Sequence, residues 1–338
     1  MSKLVFTQEE LLSEHAYAKP HIAGSRRMHG GMSDDGTYVP PRSLGRTVAL
    51  EVWAAALLRR GGDLFDANSS LLSGDRIPTV EQSQILLRHG LGETFWNTLT
   101  ITGKIEAKGR LLAEVQFPDL QPFIVDDISE MAIGHLNKGL LWAHGIDEGG
   151  QPDIGIGGHD EMWFVARDLV FGVNAFPDVE PPENIARPEA GHRFMPEVSM
   201  AVEGLLSLVM NLLMIEFRAE IGFAATQAVL RTPDLFADRR ADAELAAEIV
   251  ERIRTDETIH VSSLQLYLGE LQMVRFRTEA RGEISGAELI DRFWKGLVRW
   301  ATVDQPKQMA AQQRELIESR INQAVNAPQV LAEFAAAA

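Results

Sequence analysis

The stretch 203–230, EGLLSLVMNLLMIEFRAEIGFAATQAVL, decides how this chain is read. Between Glu203 and Glu216 it holds 12 uncharged residues, GLLSLVMNLLMI. That run falls short of the roughly 18 apolar residues a bilayer span needs. It predicts instead a buried core helix, which must pack against others. Further along, Glu216 and Glu220 stand one turn apart among apolar neighbours. Carboxylates so placed are costly unless paired, protonated or bound to a metal.

Working outward, the helix that holds this stretch is predicted over 197–230 and ends before Pro233. A further helix over 242–270 follows the charged turn LFADRRADAE. Upstream, 123–143 (FIVDDISEMAIGHLNKGLLWA) reads as a helix with Gly145 as its C-cap. The glycine-rich GIDEGGQPDIGIGG then reads as a loop leading to a helix over 160–171, and a proline-rich connector covers 174–196. Thr79 with Gln82 forms a capping-box signature. The segment 95–115 is a weaker helix, because TLTIT is β-branched and Gly103 and Gly109 interrupt it. Residues 1–45 are irregular, with Ser33-Asp34-Asp35-Gly36 as the turn of a short hairpin or wrapped loop; MHGGM (28–32) suits a structural loop or a lid. Ser285 with Glu288 caps a C-terminal helix, and Pro306 and Pro328 open two more. The predicted fold is mainly α. A central antiparallel four-helix bundle spans 118–275, an irregular and helical region spans 1–117, and C-terminal helices over 276–338 pack on the bundle.

Composition narrows the function classes. The chain has 338 residues, 45% apolar and 24% charged, with 32 Lys and Arg against 48 Asp and Glu. A net charge of −16 with basic residues only in doublets such as Arg26-Arg27 disfavours nucleic acid and anionic membranes. The absence of cysteine excludes disulfides, thiolate metal sites and a cysteine nucleophile. Any transition-metal site must therefore use His and carboxylates. The first residues lack the apolar run of a secretory signal, so the expected location is cytoplasmic. No GxxxxGK[ST], no strand-linked GxGxxG, no GxSxG and no HExxH occurs.

What remains is an acidic helical core. In Glu257-Thr258-Ile259-His260 a carboxylate and an imidazole lie three residues apart on a helix, about 5–6 Å between Cβ atoms, within reach of one metal ion. Glu220 and Glu216 precede Glu257 by 37 and 41 residues. Together these residues resemble the ferritin-like di-iron carboxylate superfamily, whose four core helices supply one Glu from each of two and Glu-x-x-His from the other two. The resemblance covers about residues 120–275, under half of the chain.

It implies two iron ions, or manganese, bridged by carboxylates that activate dioxygen on a small organic substrate. The implied ligands are Glu216, Glu220, Glu257 and His260, with Glu130 and Glu161 for the other half. There the expected imidazole is missing, since Phe164 stands where the family places His. His159 or His135 is the substitute, and Asp256 and Arg254 are expected to orient His260. The implied partners are the substrate, dioxygen and an electron-donor protein; exposed C-terminal helices suggest a homodimer. Two alternatives stand beside this reading. One is a haem-oxygenase-like non-haem iron enzyme drawing on His135, His144 or His159. The other is a metal-free helical scaffold in which arginines neutralise Glu216, Glu220 and Glu257.

Overall fold

In the computed structural model, residues 3–67, 71, 77–182, 186–187 and 191–337 are described, so parts of the proline-rich connector fall outside the description. The chain opens with α1 (Gln8–Leu11) and an antiparallel sheet of β1 (Lys19–Ala23), β2 (Arg26–Met32) and β3 (Tyr38–Val39), in that order. The 33–36 turn joins β2 to β3, and Asp35 accepts from the Thr37 N–H at 3.0 Å. Then come α2 (Ser43–Arg59), α3 (Val80–Arg88), α4 (Glu93–Gly109), α5 (Leu111–Glu114), α6 (Leu140–Gly149) and α7 (His159–Phe171). The two long helices α8 (Met200–Leu230) and α9 (Arg240–Met273) follow. A hairpin of β4 (Arg275–Arg277) and β5 (Glu283–Ser285) leads to α10 (Gly286–Arg299), α11 (Gln305–Ile321) and α12 (Ala327–Ala336). The chain is mainly α.

Caps fall where the sequence places them. Thr79 accepts from the Gln82 N–H at 3.1 Å while Gln82 accepts from the Thr79 N–H at 2.9 Å, opening α3. Ser285 likewise accepts from the Glu288 N–H at the start of α10.

The predicted 123–143 helix does not form. Polar side chains in and just before it satisfy the backbone in other ways: Gln121 accepts from the Ile128 N–H at 3.0 Å, and Asp127 from the Ser129 N–H at 2.9 Å. Side chains that bond locally to the backbone compete with helix formation, so this segment is a loop with a 3-10 run at Ala132–Lys138. The helix that does form, α6, begins later and runs past Gly145 to Gly149, through residues that read as loop. The weakly predicted α4, by contrast, packs extensively along α7 and also against α6.

The core is divided. One apolar cluster joins the first half of α8, the second half of α9, α2 and α10. A second joins the other halves of α8 and α9 with α4 and α7. Between Met214 and Phe223 on α8, and between Ile253 and Leu264 on α9, neither helix contributes a fully buried apolar residue to either cluster. Burial there falls to Glu216, Asp256, Glu257, His260 and Ser263. By length and composition α8 is apolar enough to cross a membrane, yet 61% of its apolar window is buried inside the protein. That is the burial of a core helix.

Candidate metal centre

The polar layer takes one or more residues from each of five helices: Glu106 from α4, His144, Asp147 and Glu148 from α6, His159 from the first turn of α7, Glu216 from α8, and Asp256, Glu257 and His260 from α9. All nine are buried. The contribution of α6 depends on glycine. Where α6 ends and α7 begins the backbones touch: a Cβ on Gly158 would lie 2.4 Å from the Gly150 N and 2.5 Å from the Glu148 O. Gly150 itself has φ +62°, a left-handed turn that brings the chain back. The connector is pinned from outside by β2, where His29 N–H donates to the Gly157 O and Gly157 N–H to the Arg27 O, each at 2.9 Å.

Two imidazoles and two glutamates form the centre. Glu257 Oε1 lies 3.1 Å from His159 Nδ1, and its Oε2 lies 2.9 Å from His260 Nδ1. Glu148 Oε1 lies 3.4 Å from His159 Nδ1 and 3.1 Å from His260 Nδ1. Each glutamate thus spans both imidazoles. Beyond His159, Glu106 Oε2 is 4.0 Å from Nδ1. Around His260, His144 stacks on the ring at 3.9 Å between centroids and meets Glu216 Oε1 at 3.0 Å. Two overlapping groups, His144–Glu148–Glu216–His260 and Glu148–His159–Glu257–His260, each have ligand atoms within 4.8 Å of one another.

Several of these atoms lack a hydrogen bond of proper geometry despite their closeness. Glu148 Oε1, Glu257 Oε1 and His159 Nδ1 are all buried and unpartnered. Unpaired buried polar atoms are rare and costly. Lone pairs that converge without meeting a donor are the arrangement a cation needs.

The far side of each imidazole is held by an aspartate from the other half. His260 Nε2 lies 3.1 Å from Asp147 Oδ2, and His159 Nε2 lies 3.3 Å from Asp256 Oδ2. Asp147 is clamped by two buried arginines, with Arg42 Nε at 3.0 Å and Arg46 Nη2 at 2.7 Å. Asp256 accepts from Tyr38 Oη at 2.8 Å and also faces His29 at 3.1 Å. A carboxylate behind each ring holds the N–H on Nε2 and turns Nδ1 toward the centre, where its lone pair is free once the ring gives up its second proton.

Charge makes the same point. Four glutamates and two aspartates are buried in this layer, and among the described residues two buried arginines meet them, Arg46 and Arg42, the latter also holding the half-exposed Glu14, so the layer itself is left with four negative charges. Left to themselves, the side chains offset the excess with protons. Burial, then the neighbouring Glu148 charge, raises the Glu106 carboxyl well above its usual range, and burial with Glu257 does the same to Glu216. Burial opposes charging of His159 and His260, but the glutamates outweigh it and raise both imidazoles well above 6.5. Burial also opposes ionisation of Asp147, which Arg46 and Arg42 nonetheless hold well below the usual carboxylate range.

Of the residues singled out from sequence, Glu216, Glu257 and His260 come together in this layer. The other three do not. Glu130 sits on a turn with its side chain 60% exposed, 3.9 Å from Arg60, because its predicted helix is absent. Glu161 faces Arg26 at 3.1 Å. Glu220 has its side chain 43% exposed and accepts from Arg254 Nε at 3.0 Å, so Arg254 clasps Glu220 instead of orienting His260. His135 is a core histidine between Met131 O and the Phe6 N–H. Glu106, Asp147 and Glu148 are the residues sequence reasoning missed. One signal was available: Asp-Glu occurs three times, at 147–148, 160–161 and 256–257, and the first and last flank the centre. No protein-family model, curated protein or solved structure matches the chain. Its function is therefore read from the site's own chemistry.

Proposed function

We propose that this protein holds two iron or manganese ions and is an oxidoreductase of the ferritin-like carboxylate type, activating dioxygen on a small organic substrate. The observation that carries this is the pair Glu148 and Glu257, each lying between His159 Nδ1 and His260 Nδ1. Glu148 and Glu257 would be shared by the two ions, with Glu106 and His159 holding one and Glu216, His260 and His144 the other. The donor set of hard carboxylate oxygens and imidazole suits iron or manganese over Mg²⁺. It has the composition of the ferritin-like centre, with His159 from the next helix in place of a Glu-x-x-His imidazole. The four surplus negative charges equal the charge of two divalent ions. They count against a metal-free scaffold, in which arginines would have to do that work.

When bound, two such ions supply the electrons that reduce dioxygen. The chain's own part is to position and protect. Asp147 and Asp256 fix the tautomer and direction of His260 and His159, and the apolar clusters on either side exclude water from the layer. Substrate, dioxygen and an electron-donor protein are the partners this reading requires.

The test is anaerobic titration of the chelator-treated protein with Fe²⁺, read by metal analysis after desalting. Two equivalents per chain, with a raised melting temperature from ligand linkage, are expected. One equivalent would favour the single-iron, haem-oxygenase-like alternative. None, with an unchanged melting temperature, would leave the scaffold.

A further inference from the structure

A cavity of about 800 Å³ lies between α4, α8 and α11. Its wall follows α4 from Thr94 to Glu106 and α8 from Met214 to Thr226, twelve residues along each helix, or about 18 Å at 1.5 Å per residue. Ala219 and Gly222 supply little bulk on the α8 side, and Ile101 and Ile105 make the α4 side apolar. The hydroxyls of Thr98 and Thr102 are already bonded to the carbonyls of Thr94 and Thr98. The third side begins at Trp300, in the π-helical turn Trp300–Asp304 that joins α10 to α11. Such turns recur at functional sites.

Three charged residues reach this wall among the described residues: Glu106, Arg218 and Arg320. Glu106 belongs to the metal layer, so the cavity ends at the centre. Arg320 is occupied by Glu93 at 3.1 Å. Arg218 is half-buried and donates to the Leu71 carbonyl at 2.6 Å, but has no carboxylate partner among the described residues. In a protein with sixteen surplus negative charges, an arginine of this kind facing an apolar chamber is set up to receive an anion from outside.

We propose that this cavity is the substrate chamber, and that it takes an elongated apolar molecule carrying a carboxylate, which Arg218 holds while the apolar body lies between α4 and α8. The proposal rests on the dinuclear reading above. It goes further in naming the chamber, the substrate class and the recognition residue.

The test uses the full chain loaded with Mn²⁺, titrated calorimetrically with dodecanoate and with dodecan-1-ol, with metal content measured on every sample. Dodecanoate is expected to saturate one site per chain and to show its ¹³C resonances broadened by the paramagnetic Mn²⁺. Ala219→Phe fills the chamber and should abolish binding with metal content unchanged; Gly222→Leu does the same from one turn on if the first variant does not fold. Arg218→Met should weaken dodecanoate by roughly tenfold or more, the worth of a charge-assisted hydrogen bond, and leave dodecan-1-ol as it was. Two metal equivalents without saturable dodecanoate binding would overturn the chamber and leave the metal centre standing. Unchanged dodecanoate affinity in Arg218→Met would overturn the anion assignment. Dodecanoate binding with fewer than two metal equivalents would remove the dinuclear reading, and with it the cavity's role as a substrate site.

Discussion

The two halves of the polar layer have equivalent chemistry and different construction. On α9, Asp256, Glu257 and His260 occupy one uninterrupted helix, and helical spacing alone puts Glu257 and His260 2.9 Å apart. On the other half, Asp147 and Glu148 end α6 while His159 opens α7, and a glycine-rich connector folds back to bring Glu148 Oε1 and His159 Nδ1 within 3.4 Å. The aspartates then cross, Asp147 to His260 and Asp256 to His159. A regular helix positions ligands through its period. The broken half positions them through close backbone contact, which only glycine permits.

The largest effect should separate bridges from ends. Glu148→Gln is expected to lose both metal equivalents, as is Glu257→Gln, although they come from unlike halves. Glu106→Gln and Glu216→Gln should each lose one. Metal analysis after anaerobic Fe²⁺ loading decides it; a Glu148→Gln protein that keeps one ion would show that the broken half is not part of a shared bridge.

Next in size is the crossing pair of aspartates. Removing one partner of a buried ion pair costs about 3–5 kcal/mol, and Asp147→Asn leaves the buried Arg46 without a carboxylate and Arg42 with the half-exposed Glu14 alone. Asp256→Asn strands no cation, since Tyr38 and His29 are uncharged and a protonated His159 keeps Glu148 and Glu257, so it should cost about 1–3 kcal/mol, the loss of hydrogen bonds. Metal affinity should fall about 10–100-fold in both. Urea unfolding of the metal-free chains measures the first difference and competition with a chelator the second. Equal stability losses would mean the arginine clamp is not what holds Asp147.

How legible the layer was follows from the same contrast. Glu257 and His260 could be found because period and residue type were both on one helix, and Glu216 because its neighbours are apolar throughout. Glu148 could not, because GIDEGG reads as loop under propensity rules that count glycine against helix; the tertiary packing of α6 overrides them. Glu106 was obscured in the same way by the β-branched TLTIT and Gly109, although a Cβ on Gly109 would lie 2.5 Å from the Glu148 Cγ, so that glycine makes room for the Glu148 side chain. Glu130 failed for the converse reason, since 123–143 has a helical apolar pattern but side chains that bond its backbone into a loop. The mainly helical class, the capping boxes and the core burial of α8 were readable because each depends on local chemistry or on one helix's own apolar content.

A smaller effect tests the glycine argument itself. Gly158→Ala puts a methyl against the Gly150 N and Glu148 O, backbone atoms that cannot rotate away, and overpacking of this sort costs about 1–3 kcal/mol. Thr258→Ala, at an exposed position of α9 between Glu257 and His260, should change stability by less than about 0.5 kcal/mol. If the two variants melt alike, close approach at the connector is not what builds the broken half.

The gentlest probe is pH, and it treats both halves at once. In the metal-free chain His159 and His260 have proton affinities raised above the ordinary 6.5, as do the carboxyls of Glu106 and Glu216 above 4.5. The folded protein then binds more protons than the unfolded one at neutral pH and above. The two imidazoles' contribution is fully present below about pH 6.5 and is lost as pH rises through their folded values, at up to about 1.4 kcal/mol per pH unit for each proton held. Loaded with metal, the same four groups must give up those protons, so affinity and stability fall as pH drops. His21, His29, His135 and His144, whose proton affinities burial lowers, charge in the unfolded chain near pH 6.5 and oppose this slope there, so it is between pH 7.5 and 9 that melting curves of the two forms should slope in opposite directions. A metal-free chain whose stability rises over that range would mean that protons do not balance the buried carboxylates, and that the charge excess is relieved by some group outside the layer.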